Sequence, residues 1–163
     1  MNCKGFTFIE LVMVIVLIGI IAVYAAPRLS NVTDTKAGAF VDKLRADIRY
    51  AQNLAMTGNQ RYRVYFNGSG GGAPANGYIV VNNANGNGTW GEASSDEIAL
   101  DPAGGGNLIV TLNTGNYAGI TVSTPAGGFI EFNSLGAPTA AATLTIAPGG
   151  QQVTITAQTG AVN

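Results

Sequence analysis

The chain has 163 residues and a mass of 16.6 kDa, and eight Lys and Arg stand against nine Asp and Glu, for a net charge of −1. This length suits one globular domain, since domains usually hold about 100–150 residues. Histidine is absent and Cys3 is the one cysteine, which excludes the commonest zinc sites and nucleophile arrangements. No basic residue follows Arg63, so the rest of the chain is acidic.

From Phe6 to Ala26 the chain is almost entirely apolar, and Glu10 is its one charged residue. A membrane-spanning helix needs about 20 apolar residues, so residues 6–26 are predicted to span a membrane once. A carboxylate in hydrocarbon costs about 2.5–3.5 kcal/mol, which indicates a function for Glu10. Cleavage between Gly5 and Phe6 would create a positive α-amine four residues from Glu10. Pairing of these charges between neighbouring chains would set the register of an assembly.

The segment Lys4-Gly5-Phe6-Thr7-Phe8-Ile9-Glu10-Leu11 and the apolar run after it resemble the class III signal of type IV pilins and of type II secretion pseudopilins. The resemblance implies that residues 1–5 are a leader removed by a prepilin peptidase. It also implies N-methylation of Phe6 and a role for Glu10 in recruiting and docking subunits. The partners it implies are other pilins or pseudopilins, the peptidase and an inner-membrane assembly platform.

Two other interpretations of the same segment remain open. A secretory signal peptide also has a basic start and an apolar core, and cleavage within Ala22–Ala26 would release a secreted β-domain. A simple membrane anchor is the second alternative. The carboxylate of Glu10 inside the apolar core, and a helical pattern that continues past Pro27, argue against the signal peptide.

Residues 27–57 are predicted to form an amphipathic helix, because apolar residues recur at helical spacing. The apolar stripe consists of Ala37, Phe40, Val41, Leu44, Ile48, Ala51 and Ala55. Gly58-Asn59 is a typical helix stop, and a helix over 6–57 would be about 78 Å long. Gly19 and Pro27 both weaken a helix, and the pilin resemblance implies that the segment between them can loosen in a filament.

Residues 58–163 are predicted to form a β-rich domain of short strands bounded by Gly, Pro and Asn. The predicted strands are 61–67, 78–82, 108–112, 120–123, 129–132, 143–147 and 153–156. Their even spacing indicates antiparallel sheet, in two small sheets. A helix followed by strands gives an α+β fold: a long N-terminal helix packed on an antiparallel β-sheet domain, as in pilins.

A second resemblance covers most of the chain. The segments Leu44–Met56, Arg61–Val64, Ile130–Pro138 and Thr159-Gly160 are similar to the helix-to-strand junction and closing strands of the GspH/FimT group of minor pilins and pseudopilins. Cys3 would lie in the leader that the first resemblance implies, so the processed chain would have no thiol, unlike the many major pilins that carry a disulfide.

Two kinds of ligand are considered for the β-rich domain. Four acidic residues lie close together in the sequence: Glu92, Asp96, Glu97 and Asp101. Their carboxylates could bind Ca²⁺, which favours several oxygen ligands from one loop, although a solvated acidic loop is the more common explanation. Some minor pilins of this group receive DNA, and Arg45 and Arg49 on the helix with Arg61 and Arg63 on the next strand could form a phosphate-binding patch. The relatives that bind DNA carry arginines near the carboxyl end, which this chain lacks, and its acidic domain would repel phosphate.

The sequence therefore predicts a minor pseudopilin or minor pilin without enzymatic activity or cofactor, and nucleic acid is not its expected partner. It would cross the bacterial inner membrane once, with a periplasmic C-terminal domain, and then enter a pilus or pseudopilus. Trp90 is expected to be a packing anchor. A DNA-receptor minor pilin and a major pilus subunit are the alternatives.

Overall fold

A computed structural model describes residues 5–84, 90, 97–112 and 114–163, and within the helix it describes no side chains for residues 25–33. One helix, α1, extends over Phe8–Gly58. It ends at Asn59, whose φ of 49° is left-handed, as the Gly58-Asn59 stop predicts. It begins two residues later than predicted, because Thr7 adopts an extended conformation and caps it.

The two halves of α1 have opposite surroundings. In the first half the side chains are exposed: Phe8 by 83%, Ile15 by 59% and Tyr24 by 76%. In the second half the stripe from Ala37 to Ala55 is buried against the sheets, as its spacing predicts. Among the described residues, no helix has both the length and the apolarity that crossing a membrane requires.

In the part of the chain that the structure describes, seven strands form two antiparallel sheets, which confirms the predicted α+β class. The strands are β1 (Tyr62–Phe66), β2 (Gly77–Asn82), β3 (Ile109–Thr111), β4 (Thr121–Val122), β5 (Phe129–Phe132), β6 (Ala142–Ala147) and β7 (Gln151–Ile155). One sheet has the order β3-β2-β1-β5 and the other the order β4-β6-β7. Short 3-10 helices over Gly115–Tyr117 and Ala126–Gly128 lie in the connections.

Strand β1 determines what each face of the larger sheet contacts. Side chains alternate along a strand, and Tyr62, Val64 and Phe66 join the main core with the buried half of α1. Tyr65 belongs instead to a second, smaller apolar cluster with Ile79, Val81 and Trp90. The larger sheet therefore has an inner face against α1 and an outer face covered by a smaller cluster.

A buried polar group connects α1 to the inner face of the sheet. The carboxylate of Asp47, 5% exposed, accepts hydrogen bonds from Lys43 Nζ at 2.8 Å and from the Tyr78 hydroxyl at 2.5 Å. Burial, followed by the neighbouring negative charge of Asp47, raises the pKa of Tyr78 well above its usual value. Tyr78 is therefore a neutral donor, and the three groups satisfy one another in the core.

The C-terminal residues are held against α1 by backbone contacts. Arg49 donates to the carbonyl of Val162 at 2.6 Å, and Gln52 donates to that of Gly136 at 2.8 Å. At Gly160, where φ is +66°, a Cβ atom would lie 2.4 Å from Gln52 Nε2 and 2.7 Å from the oxygen of Gly136. Glycine at position 160 thus allows the end of the fold to approach the helix.

Candidate assembly site

Glu10 and Thr7 form a reciprocal capping box at the start of α1. The Thr7 amide and hydroxyl donate to Glu10 Oε2 at 3.0 and 3.1 Å, while the Glu10 amide donates to Thr7 Oγ1 at 3.3 Å. This pair was not predicted from the sequence, although Thr-x-x-Glu before an apolar run is its known pattern. Glu10 therefore has a local role in addition to any role between subunits.

The residues of the expected processing site lie together at the exposed start of the chain. Gly5 and Phe6 precede the first turn of α1 in non-helical conformation, and Phe6 is 81% exposed. Glu10 is also exposed, and its Oε1 has no hydrogen-bond partner in the described part of the chain. Because both residues are exposed, the peptide bond between Gly5 and Phe6 is accessible among the described residues.

Gly19 and Pro27 both lie inside α1, which is assigned without a break through either position. A Cβ atom at Gly19 would have no neighbour within 4 Å among the described residues, so their packing does not require glycine there. Loosening of the helix between these two residues stays a prediction.

On the outer face of the larger sheet, Arg63 is enclosed by aromatic rings and a carboxylate. Its Nε donates to Glu131 Oε2 at 2.6 Å, and its guanidinium carbon lies 4.0 Å from the ring centre of Trp90 and 4.1 Å from that of Phe129. Arg61 is also bound to Glu131, at 3.2 Å, but is 55% exposed. Trp90 is 8% exposed, which agrees with its expected role as a packing anchor.

Arg45 and Arg49 lie on the other side of the larger sheet, on α1. They contact the backbone oxygens of Gln152 at 3.4 Å and Val162 at 2.6 Å. The sheet therefore separates them from Arg61 and Arg63, and the four arginines do not form the single patch considered from the sequence. DNA contact by any of them stays a prediction.

The acidic residues considered for Ca²⁺ lie only partly within the described structure. Glu92 and Asp96 are outside the described residues. Glu97 is buried, and Asp101 accepts the amide of Ala103 at 2.8 Å. Over residues 5–84, 90, 97–112 and 114–163, no three Asp, Glu or Cys side chains group together in a way that could hold a metal ion.

Comparison with known protein families shows to which family this chain belongs. The family described as Type II transport protein GspH matches residues 41–160, well over half of the chain. The chain belongs to the GspH family. The prokaryotic N-terminal methylation motif matches residues 1–26 of this GspH-family chain, which contain Gly5, Phe6 and Glu10. Both resemblances noted in the sequence are thereby confirmed, and the chain is a type IV pilin-like protein.

A curated relative and several solved structures are similar to the GspH-family chain. The type IV narrow pilus major component PilA5 of Thermus thermophilus is 47% identical over 55 residues, which are 34% of this chain and 47% of that protein. The alignment thus spans about half the length of the curated relative.

The minor pseudopilin EpsH from the type 2 secretion system of Vibrio cholerae has a TM-score of 0.51 at 14% identity, over 78% of this chain and 94% of that one. The type IV minor pilin FimU of Pseudomonas aeruginosa has a TM-score of 0.49 at 16% identity, over 80% and 88% of the two chains. Because the identity to EpsH is only 14%, this similarity shows a shared fold and nothing more.

Proposed function

We propose that this chain is a minor pseudopilin or minor pilin: a structural subunit that assembles through its N-terminal helix into a type II secretion pseudopilus or a type IV pilus. The observation that carries the proposal is the contrast between the two halves of α1. One half is buried in its own domain, and in the other most of the large apolar side chains are exposed by about half or more. Apolar surface of this extent on a soluble monomer marks a membrane or subunit contact.

The maturation steps belong to the same proposal. A prepilin peptidase cleaves after Gly5, Phe6 becomes the N-methylated first residue, and Glu10 serves in recruiting and docking the subunit. Two observations support these assignments: Gly5 and Phe6 are exposed, and Glu10 Oε1 has no hydrogen-bond partner among the described residues. Before assembly the chain crosses the inner membrane once, with its β-rich domain in the periplasm and the assembly platform as a partner.

Intact-mass measurement with amino-terminal fragmentation, on protein from its native membrane, tests this proposal directly. A chain that begins at N-methylated Phe6 supports it. A chain that begins near Ala26 identifies a secreted β-domain, and an intact Met1 identifies a simple anchor. Either of the last two results overturns the proposal.

A major pilus subunit is the second candidate, and the identity with the pilus major component PilA5 favours it. The two candidates differ in abundance. A major subunit would dominate the protein of sheared filaments, whereas a minor subunit would be present there in trace amounts beside another pilin. Quantitative mass spectrometry of the sheared fraction separates them.

A further inference from the structure

The amide of Thr7 lies at the boundary between α1 and the residues of the expected processing site. Thr7 is the N-cap of α1, with an extended backbone (φ −80°, ψ 153°), and Gly5 and Phe6 lie outside the helix. The Thr7 amide donates to Glu10 Oε2 at 3.0 Å. If α1 began one turn earlier, this amide would have to donate to the carbonyl four residues before it. Both bonds need the same proton, so the capping box and an earlier helix start compete.

The capping box is complete in both directions, which defines the start of α1 at Phe8. Thr7 Oγ1 accepts from the Glu10 amide at 3.3 Å, and the hydroxyl donates to Glu10 Oε2 at 3.1 Å. The Leu11 amide donates to the Thr7 carbonyl at 3.3 Å, which is the first bond of the helix. Removing the side-chain acceptor of an N-cap costs about 1 kcal/mol, so the box contributes measurably to the choice of helix start.

The position of the helix start determines whether the bond between Gly5 and Phe6 lies inside or outside a helical turn. A start one turn earlier would include both residues. Proteolysis concentrates where the backbone is free of such structure, and its rate follows the fraction of molecules with the bond open when opening is fast. Two separate observations point to chemistry at this place: both residues are exposed, and the prokaryotic N-terminal methylation motif matches residues 1–26.

We infer that Thr7 is a positioning residue for leader removal. Through Glu10 it keeps the start of α1 at Phe8, and this holds the Gly5-Phe6 bond outside the helix, where a peptidase can bind it. The inference rests on the proposed function, since it assumes cleavage after Gly5. Hydrolysis adds one water across the amide and leaves a Gly5 carboxylate and a Phe6 α-ammonium group. The capping box uses only groups of Thr7 and Glu10, so it takes no part in the chemical step.

The initial rate of leader removal tests the inference, measured on the full-length chain in detergent with membranes that contain the prepilin peptidase. Thr7→Val keeps the size and β-branching of threonine without its hydroxyl. It should lower the rate about fivefold, the factor that corresponds to about 1 kcal/mol. Thr7→Ser and Thr7→Asn should be cleaved at close to the original rate, because both residues are favoured N-caps. Thr7→Asn is the matched control for direct recognition of the side chain, since it differs from threonine in shape but not in capping ability.

The backbone conformation of Phe6 gives a second readout, which ¹³C chemical shifts of the uncleaved chain in detergent measure. Thr7→Val should move the Phe6 shifts towards helical values, whereas Thr7→Asn should leave them unchanged. Glu10→Leu, which frees the Thr7 amide, should also move these shifts and slow cleavage, whereas Glu10→Gln keeps the capping box and should do neither.

Three results overturn the inference. Thr7→Val is cleaved as fast as the unsubstituted chain or faster, Thr7→Asn is as slow as Thr7→Val, or the rate falls while the Phe6 conformation stays the same. If the unsubstituted chain itself is not cleaved after Gly5, the proposed function is refuted instead, and this inference with it.

Discussion

Replacing Arg63 with alanine tests the energetic importance of the cluster on the outer face of the sheet. The substitution leaves the Glu131 side chain, 6% exposed, with the solvent-facing Arg61 as its one remaining ion-pair partner among the described residues. Removing one partner of a buried ion pair costs about 3–5 kcal/mol. Because Arg61 keeps part of the charge compensated while the stacking on Trp90 and Phe129 is lost, we expect a loss of about 3 kcal/mol in unfolding free energy.

Urea unfolding of the full chain in detergent measures this loss, with circular dichroism for the global transition. Trp90 is the one tryptophan, and it stacks on Arg63, so its fluorescence reports the cluster itself. Arg61→Ala is the matched control and should cost at most about 1 kcal/mol, as exposed ion pairs do. The reasoning is refuted if Arg63→Ala costs less than about 1 kcal/mol, or if its effect and that of Glu131→Ala simply add in the double variant.

Three further substitutions give separate tests. Because the pKa of Tyr78 is raised on folding, its contribution to stability is complete below about pH 10 and decreases at higher pH, by up to about 1.4 kcal/mol per pH unit. Tyr78→Phe should remove this alkaline loss in urea titrations between pH 9 and pH 11, and an unchanged slope would contradict the assignment. Gly160→Ala should cost about 2 kcal/mol or more, since it adds a clash with Gln52 to the strain of positive φ. Gly150→Ala, with a similar φ of +64° and open space around it, should cost only about 1 kcal/mol. If the two substitutions lowered the unfolding free energy equally, the close approach of Gly160 to α1 would be refuted. Glu10→Leu should leave the protein in the membrane but abolish its presence in sheared filaments, and normal incorporation would refute the assembly role.

Most of the fold could be predicted from local patterns. The spacing of apolar residues identifies α1 as a helix and the short β-branched runs as strands. The structure places all seven predicted strands within two residues of the predicted bounds. The stop at Asn59 follows from turn chemistry. These features were predictable because each depends on residues that are neighbours in the sequence.

The positions and partners of the arginines were harder to predict. Tyr62, Val64 and Phe66 alternate with Arg61, Arg63 and Tyr65, a pattern that could have placed the two arginines on the face opposite α1. The partners of the arginines could not be predicted, because Arg49 and Val162 are separated by 113 positions along the chain. Such contacts exist only after the sheets have packed on the helix.

The burial of α1 from Ala37 to Ala55 has a mechanical consequence. A filament under tension would pull each subunit by the exposed half of its helix, along the helix axis. The buried half contacts β1, β5, β6 and β7, and Arg49 and Gln52 add bonds to the end of the fold. An axial force therefore shears many contacts at once instead of peeling them apart in turn, so the helix would resist extraction from its domain.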